Sequence, residues 1–168
     1  MTAVSAETIK QLRDLTGAGV LDCKKALEEA GGEMEKAREI LRQRGVAIAQ
    51  KKADQETRQG LVEAYIHPDG RLAALVELNC QTDFVARTDA FRALAHDLAM
   101  QVAATDPQHI TPEELPADSD GNPQELCLLA QPFIRDPSLT VQDLINEIIA
   151  KTGENIRVRR FARFHLGR

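Results

Sequence analysis

The chain has 168 residues (18.5 kDa), 43% hydrophobic and 28% charged, with a net charge of −5 and a pI near 5.4. That length holds one sizeable core plus a small satellite domain, and the acidic balance argues against a protein that coats nucleic acid. Cys23, Cys80 and Cys127 are widely spaced and form no Cys-x-x-Cys pair, so neither a disulfide framework nor a zinc site is indicated, and a reduced cytosol fits.

The N-terminus lacks a basic-then-apolar signal pattern, and no apolar run approaches the ~20 residues of a membrane span. Ser5 is placed to cap a first helix, with Ile9, Leu12 and Leu15 at spacings of three. Thr16-Gly17-Ala18-Gly19 ends it. A second helix, from Val20 or Asp22 to Ala30, buries Cys23, Ala26 and Leu27 and stops at Gly31-Gly32. A third, Glu33 to Arg44, buries Met34, Ala37, Ile40 and Leu41 and is expected to end at Gly45. Ala47 to Ala53 reads as a short linker helix. Residues 1–53 are therefore expected to form a three-helix domain, and a composition shift at Asp54 to Gly60 opens a second domain, 54–168.

In that domain Leu61 to His67 alternates as a strand, Pro68-Asp69-Gly70 is turn chemistry, and Arg71 to Asn79 returns. Each strand has one clean apolar face. The other faces, assigned Leu61, Tyr65, Ala73 and Leu75 among charged residues, suggest a partly covered or oligomeric surface. Thr82 and Asp83 then offer capping oxygens for a helix running from about Asp83 to Ala104. Phe84 stands seven residues before Phe91, on about the same helical face, so it reads either as a core staple or as a protruding probe. Residues 105–124 are loop, with one helical turn at Pro112 to Leu115, and Glu125 to Ile134 is an apolar segment of undecided type. Thr140 caps a helix to Lys151 with Val141, Leu144, Ile145, Ile148 and Ile149 on its buried side, and Ile156 to His165 is an Arg-rich strand. The fold class expected is α+β, an antiparallel three-stranded sheet packed with helices behind a helical bundle.

Catalytic chemistry finds little support. His67, His96, His109 and His165 show no spacing to a Cys or carboxylate that specifies a site. Cys80 is a conceivable thiol nucleophile near a helix N-terminus, but a small buried hydrophobe fits as well. Thr16-Gly17-Ala18-Gly19 lacks the glycines and the preceding strand of a phosphate loop. The tail from Lys151 to Arg168, with Phe161 and Phe164 among its arginines, leaves an RNA- or ribosome-associated structural protein as the alternative function.

Three segments carry a family resemblance: Leu12-Arg-Asp-Leu-Thr-Gly-Ala-Gly-Val-Leu-Asp-Cys-Lys-Lys-Ala-Leu27; Val76-Glu-Leu-Asn-Cys-Gln-Thr-Asp-Phe-Val-Ala-Arg87; and Leu128-Leu-Ala-Gln-Pro-Phe-Ile134 with Gly153-Glu-Asn-Ile-Arg-Val-Arg-Arg-Phe161. In order and spread over almost the whole chain, they resemble translation elongation factor Ts, the nucleotide exchange factor of elongation factor Tu. The resemblance implies a ubiquitin-associated-like N-terminal module, a cytoplasmic exchange factor that is not an enzyme, and no cofactor or metal of its own. It implies that Thr82, Asp83, Phe84 and Val85 intrude near the magnesium site of elongation factor Tu and dislodge the ion. It also implies that Arg13, Val20 and Leu21 dock on the GTPase domain. The mixed sheet face, which the short form has no second repeat to cover, leads to an expected homodimer, and charge and the lack of a long apolar run lead to neither nucleic acid nor membrane as a direct partner. The chain resembles the short form with one core repeat. It departs from the family in lacking a helical stretch between Glu114 and Glu125.

Overall fold

The structure, a computed structural model, describes residues 4–168; residues 1–3 of the first expected domain lie outside them. It divides into two compact units, one of residues up to Asp54 together with Asn146–Glu154, the other of Gln55–Ile145 together with Asn155–Arg168.

The first unit holds α1 (Ala6–Thr16), α2 (Val20–Glu29) and α3 (Met34–Lys52). Ser5 caps α1, its hydroxyl accepting from the Thr8 N–H at 3.1 Å. Leu12, Cys23, Ala26, Leu27 and Ala37 are fully buried, with Ile9, Met34, Ile40 and Leu41 packed against them. Leu15 departs from expectation and stands 63% exposed. A step of three residues turns a helix only ~300°, so the stripe drifts by ~60° per step and its third member leaves the core face. α3 also runs through Gly45 instead of stopping there. Glycine is tolerated inside a helix at a cost of ~1 kcal/mol, and here it is buried, lying close to the Asn146 backbone carbonyl.

The second unit begins with β1 (Gln59–Ile66) and β2 (Leu72–Cys80), paired antiparallel. The turn between them is pinned by the His67 N–H on the Leu72 carbonyl and the Gly70 N–H on the His67 carbonyl, both 2.8 Å. The register sets Leu61 opposite Leu78, Glu63 opposite Val76 and Tyr65 opposite Ala74. Ala74, Val76 and Leu78 are buried, so Leu61 and Tyr65 belong to the core side. The outer side of the hairpin instead carries Val62, Ala64 and Ile66 beside Glu77, Leu75 and Ala73. The expected grouping of Leu61 and Tyr65 with Ala73 and Leu75 is thereby corrected. Alternation defines two faces of a strand but not which one meets the core; pairing register does.

The single helix expected after β2 is two: α4 (Asp83–Ala86) and α5 (Asp89–Thr105). No glycine or proline lies between them. The break is at Thr88, whose φ of −69° and ψ of 148° are extended. α5 lays Phe91, Leu94, Ala95, Leu98 and Val102, all buried, on the sheet.

Beyond the loop, with its 3₁₀ turn at Pro112–Glu114, the undecided segment resolves into α6 (Pro123–Leu126), a 3₁₀ turn at Leu128–Ala130 and β3 (Pro132–Phe133), which pairs with β4 (Asp136–Thr140). Buried Gln101 of α5 anchors this stretch. Its amide donates to the Gln131 side chain and the Pro132 carbonyl, both 3.1 Å, and its oxygen accepts from the Ile134 N–H at 2.9 Å. α7 (Val141–Thr152) starts at a reciprocal cap: the Asp143 N–H donates to the Thr140 hydroxyl, and the Thr140 N–H to the Asp143 carboxylate, each 3.1 Å. β5 (Ile156–His165) pairs antiparallel with β2, giving the sheet order β1-β2-β5 and completing an α+β fold.

Candidate functional site

The site grows from the end of β2. Cys80 is fully buried, and its thiol donates to the Thr82 carbonyl at 3.1 Å. Its role is thus to pack and to tie the strand end to the turn. The Thr82 hydroxyl accepts from the Val85 N–H at 3.4 Å and caps α4. A helix of one turn has no stability of its own, because nucleation is unfavourable. α4 is held from outside: Val85 and Ala86 are buried, and the Thr88 hydroxyl donates to the Val85 carbonyl at 2.7 Å. Of the apolar side chains of α4 only Phe84 is left without cover, at 78% exposure. The helix break removes the seven-residue phase with Phe91, so Phe84 is not a core staple.

Asp83 is exposed and pairs with Arg87 at 3.0 Å. An ion pair this exposed contributes little stability, which leaves the carboxylate available to another cation. Of the four residues the sequence brings together, Phe84 and Asp83 face outward, Thr82 caps, and Val85 anchors.

Arg13, Val20 and Leu21 lie at the α1–α2 corner of the first unit. Arg13, in the last turn of α1, is exposed and accepts the Gly17 N–H through its carbonyl at 2.7 Å. Val20 and Leu21 are 52% and 72% exposed. Leu15, expected in the core, adds a third uncovered apolar side chain within this short stretch. Its signal in the sequence was the drift of the spacing-three stripe.

The Arg-rich strand is partly engaged within its own unit. Arg160 and Arg159 meet the Glu77 carboxylate at 2.7 and 3.7 Å, and Arg160 with its hydrogen bond holds that carboxyl below its usual range. Arg163 donates to the Ala103 carbonyl at 2.9 Å and pairs with Asp106 at 3.4 Å. Phe161 and Phe164 alternate to opposite sheet faces, so they form no single stacking platform. Among the described residues no group of His, Cys, Asp or Glu is placed to hold a metal ion, and no helix is long and apolar enough to cross a membrane. Burial raises the Cys23 and Cys127 thiols above their usual range.

Residues 2–121 match the family model described as elongation factor TS. The chain is 48% identical to "Elongation factor Ts" of Carboxydothermus hydrogenoformans over 194 residues, covering 98% of this chain and 89% of that protein. It belongs to the elongation factor Ts family. The protein of the same name from Thermotoga petrophila is also 48% identical, over 192 residues, 98% of this chain and 96% of the relative. The family places the chain among translation elongation factors. These alignments are longer than the 168 residues of the chain, so the relatives carry residues it lacks. The match to the family model ends at Gly121, inside the loop before α6. That loop closes tightly: the Gln108 and His109 N–H groups both donate to the Leu126 carbonyl, at 2.8 and 3.0 Å.

Proposed function

We propose that this member of the elongation factor Ts family is a cytoplasmic guanine nucleotide exchange factor for elongation factor Tu. It performs no covalent chemistry, so it is not an enzyme, and it uses no cofactor or metal of its own. The observation that carries this reading is Phe84, uncovered on a one-turn helix that is fixed at both ends. An aromatic side chain held this way keeps its apolar surface available to a partner while losing little conformational entropy on binding. Asp83 stands beside it as a second, charged contact.

Phe84 and Asp83 enter the partner next to its magnesium and phosphate site. Mg²⁺ demands near-ideal octahedral geometry, so a small displacement of its pocket weakens the ion and with it the bound GDP. The factor binds the nucleotide-free GTPase more tightly than the GDP form, and linkage requires GDP affinity to fall by the same factor. Arg13, Val20 and Leu21, with Leu15, form the docking surface of the N-terminal module. A second copy of the chain covers the outer sheet face.

The direct test is release of labelled GDP from elongation factor Tu. The protein should accelerate it, and an unchanged rate at saturating protein would refute the proposal.

A further inference from the structure

We infer that Thr88 is the positioning residue that turns Phe84 outward, an inference resting on the reading of Phe84 as the exchange probe. From Asp83 to Thr105 the chain contains neither glycine nor proline, and nothing in local propensity stops one continuous helix. In that helix Phe84 and Phe91 would share a face, because seven residues turn ~700°, nearly two full turns. Instead Phe91 is fully buried and Phe84 is 78% exposed.

The difference is made at one residue. The Thr88 side chain donates to the Val85 carbonyl at 2.7 Å and accepts from the Phe91 N–H at 3.3 Å. One hydroxyl thus closes α4 and opens α5, joining the Thr88 N–H (3.0 Å) on the Val85 carbonyl at the end of one helix and satisfying a free N–H at the start of the next. With ψ at 148°, Thr88 resets the helical phase between the two aromatics. Short hydroxylated side chains compete with helix continuation by this kind of local bonding. Alanine at this position removes both hydrogen bonds and favours the uninterrupted helix.

The chain has no tryptophan and one tyrosine, Tyr65, so Phe84→Trp supplies a single indole, excitable apart from Tyr65, at the position in question. In that background the introduced indole should be freely quenched by acrylamide. Adding Thr88→Ala should remove most of that quenching and shift the emission to the blue, while Thr88→Ser should restore both. Thr88→Gly keeps the extended break without a hydroxyl, and should leave the indole as quenchable as in the Phe84→Trp parent. An indole equally quenched with Thr88→Ala as without it, in a cooperatively melting protein, would overturn the inference. So would a shielded indole with Thr88→Gly, which keeps the test open if the alanine variant fails to fold.

GDP release, measured with Phe84 in place, separates this inference from the one beneath it. Thr88→Ala should slow exchange and Thr88→Ser should recover it. A fluorophore shielded by Thr88→Ala, with exchange unchanged by the same substitution, would leave the positioning role standing and remove Phe84 from the exchange mechanism.

Discussion

Phe84 shows how exposure decides between two mutational signatures. A buried phenylalanine truncated to alanine costs ~3–5 kcal/mol of stability, but one left uncovered has little packing to lose. Phe84→Ala should therefore melt within about 0.5 kcal/mol of the parent, as surface changes do. If the side chain is the exchange probe, the same variant should release GDP roughly thirtyfold more slowly, since aromatic anchors at interface centres contribute ~2 kcal/mol or more. A large drop in melting temperature with exchange intact would reverse the assignment. Gly45 makes the opposite kind of case. A Cβ there would stand 3.6 Å from the Asn146 carbonyl oxygen and 4.0 Å from the Ala150 Cβ, ordinary contact distances. Gly45→Ala should thus stabilise the protein by ~0.5–1 kcal/mol through helix propensity, read from thermal or urea unfolding. Glu77 carries a pH dependence. Arg160 depresses its folded pKa, so its contribution is present above the ordinary carboxylate range and is lost as pH falls through the folded value. Glu77→Gln should be less stable than the parent at neutral pH. The gap should close as pH falls below the ordinary carboxylate range, where the carboxylate takes up its proton, and a gap that persisted there would place the effect elsewhere.

At the scale of elements, much was legible because hydrophobic period and capping chemistry agree. Ser5, Thr82 and Thr140 cap where the sequence places caps, and the buried positions of α2 follow its apolar stripe, while α7 buries Val141, Ile145 and Ile149 of its stripe and leaves Leu144 and Ile148 half-buried. What was not legible turned on tertiary choice. Thr88 is one of several residues able to cap, and only its two hydrogen bonds distinguish a helix break from a helix interior. Gly45 carries a stop signal that packing overrides. The alternation of β1 is visible in the sequence, but which of its faces meets the core is not, because register is a property of two strands. Of the candidate site, Phe84 and Asp83 were named from the sequence while the exposure of Leu15 was not. The α1–α2 corner offers its own test. Leu21, 72% exposed, should leave the melting curve unchanged on truncation to alanine, yet weaken binding to elongation factor Tu by about fivefold, the ~1 kcal/mol of a peripheral apolar contact. Unchanged affinity would remove this corner from the interface.

At the scale of the molecule, the outer face of the sheet is the feature that one chain leaves unresolved. Antiparallel sheets commonly keep one face wet, but that face then alternates to polar residues. Here the register brings Ile66, Ala73 and Phe164 into one row and Ala64, Leu75 and Ala162 into the next. Ile66 and Phe164 are 66% and 68% exposed. Only in the third row do charges appear, where Val62 stands beside Glu77 and Arg160. A contiguous apolar patch with a charged border is the usual form of a protein interface. Among closed assemblies a two-fold pair is the commonest, and it covers the same patch on both copies. The protein should therefore sediment as two chains at micromolar concentration, and its melting temperature should rise with concentration, as it does when association stabilises the fold. Leu75, in the central strand of the patch, is the place to interrupt it. Leu75→Glu sets two carboxylates against apolar surface across the two-fold, which no dimer accommodates without a compensating cation. The variant should run as a single chain, melt independently of concentration and retain the helix and strand content of the parent. A parent of single-chain mass at micromolar concentration would refute the dimer. A Leu75→Glu protein that stayed paired would move the interface to another surface.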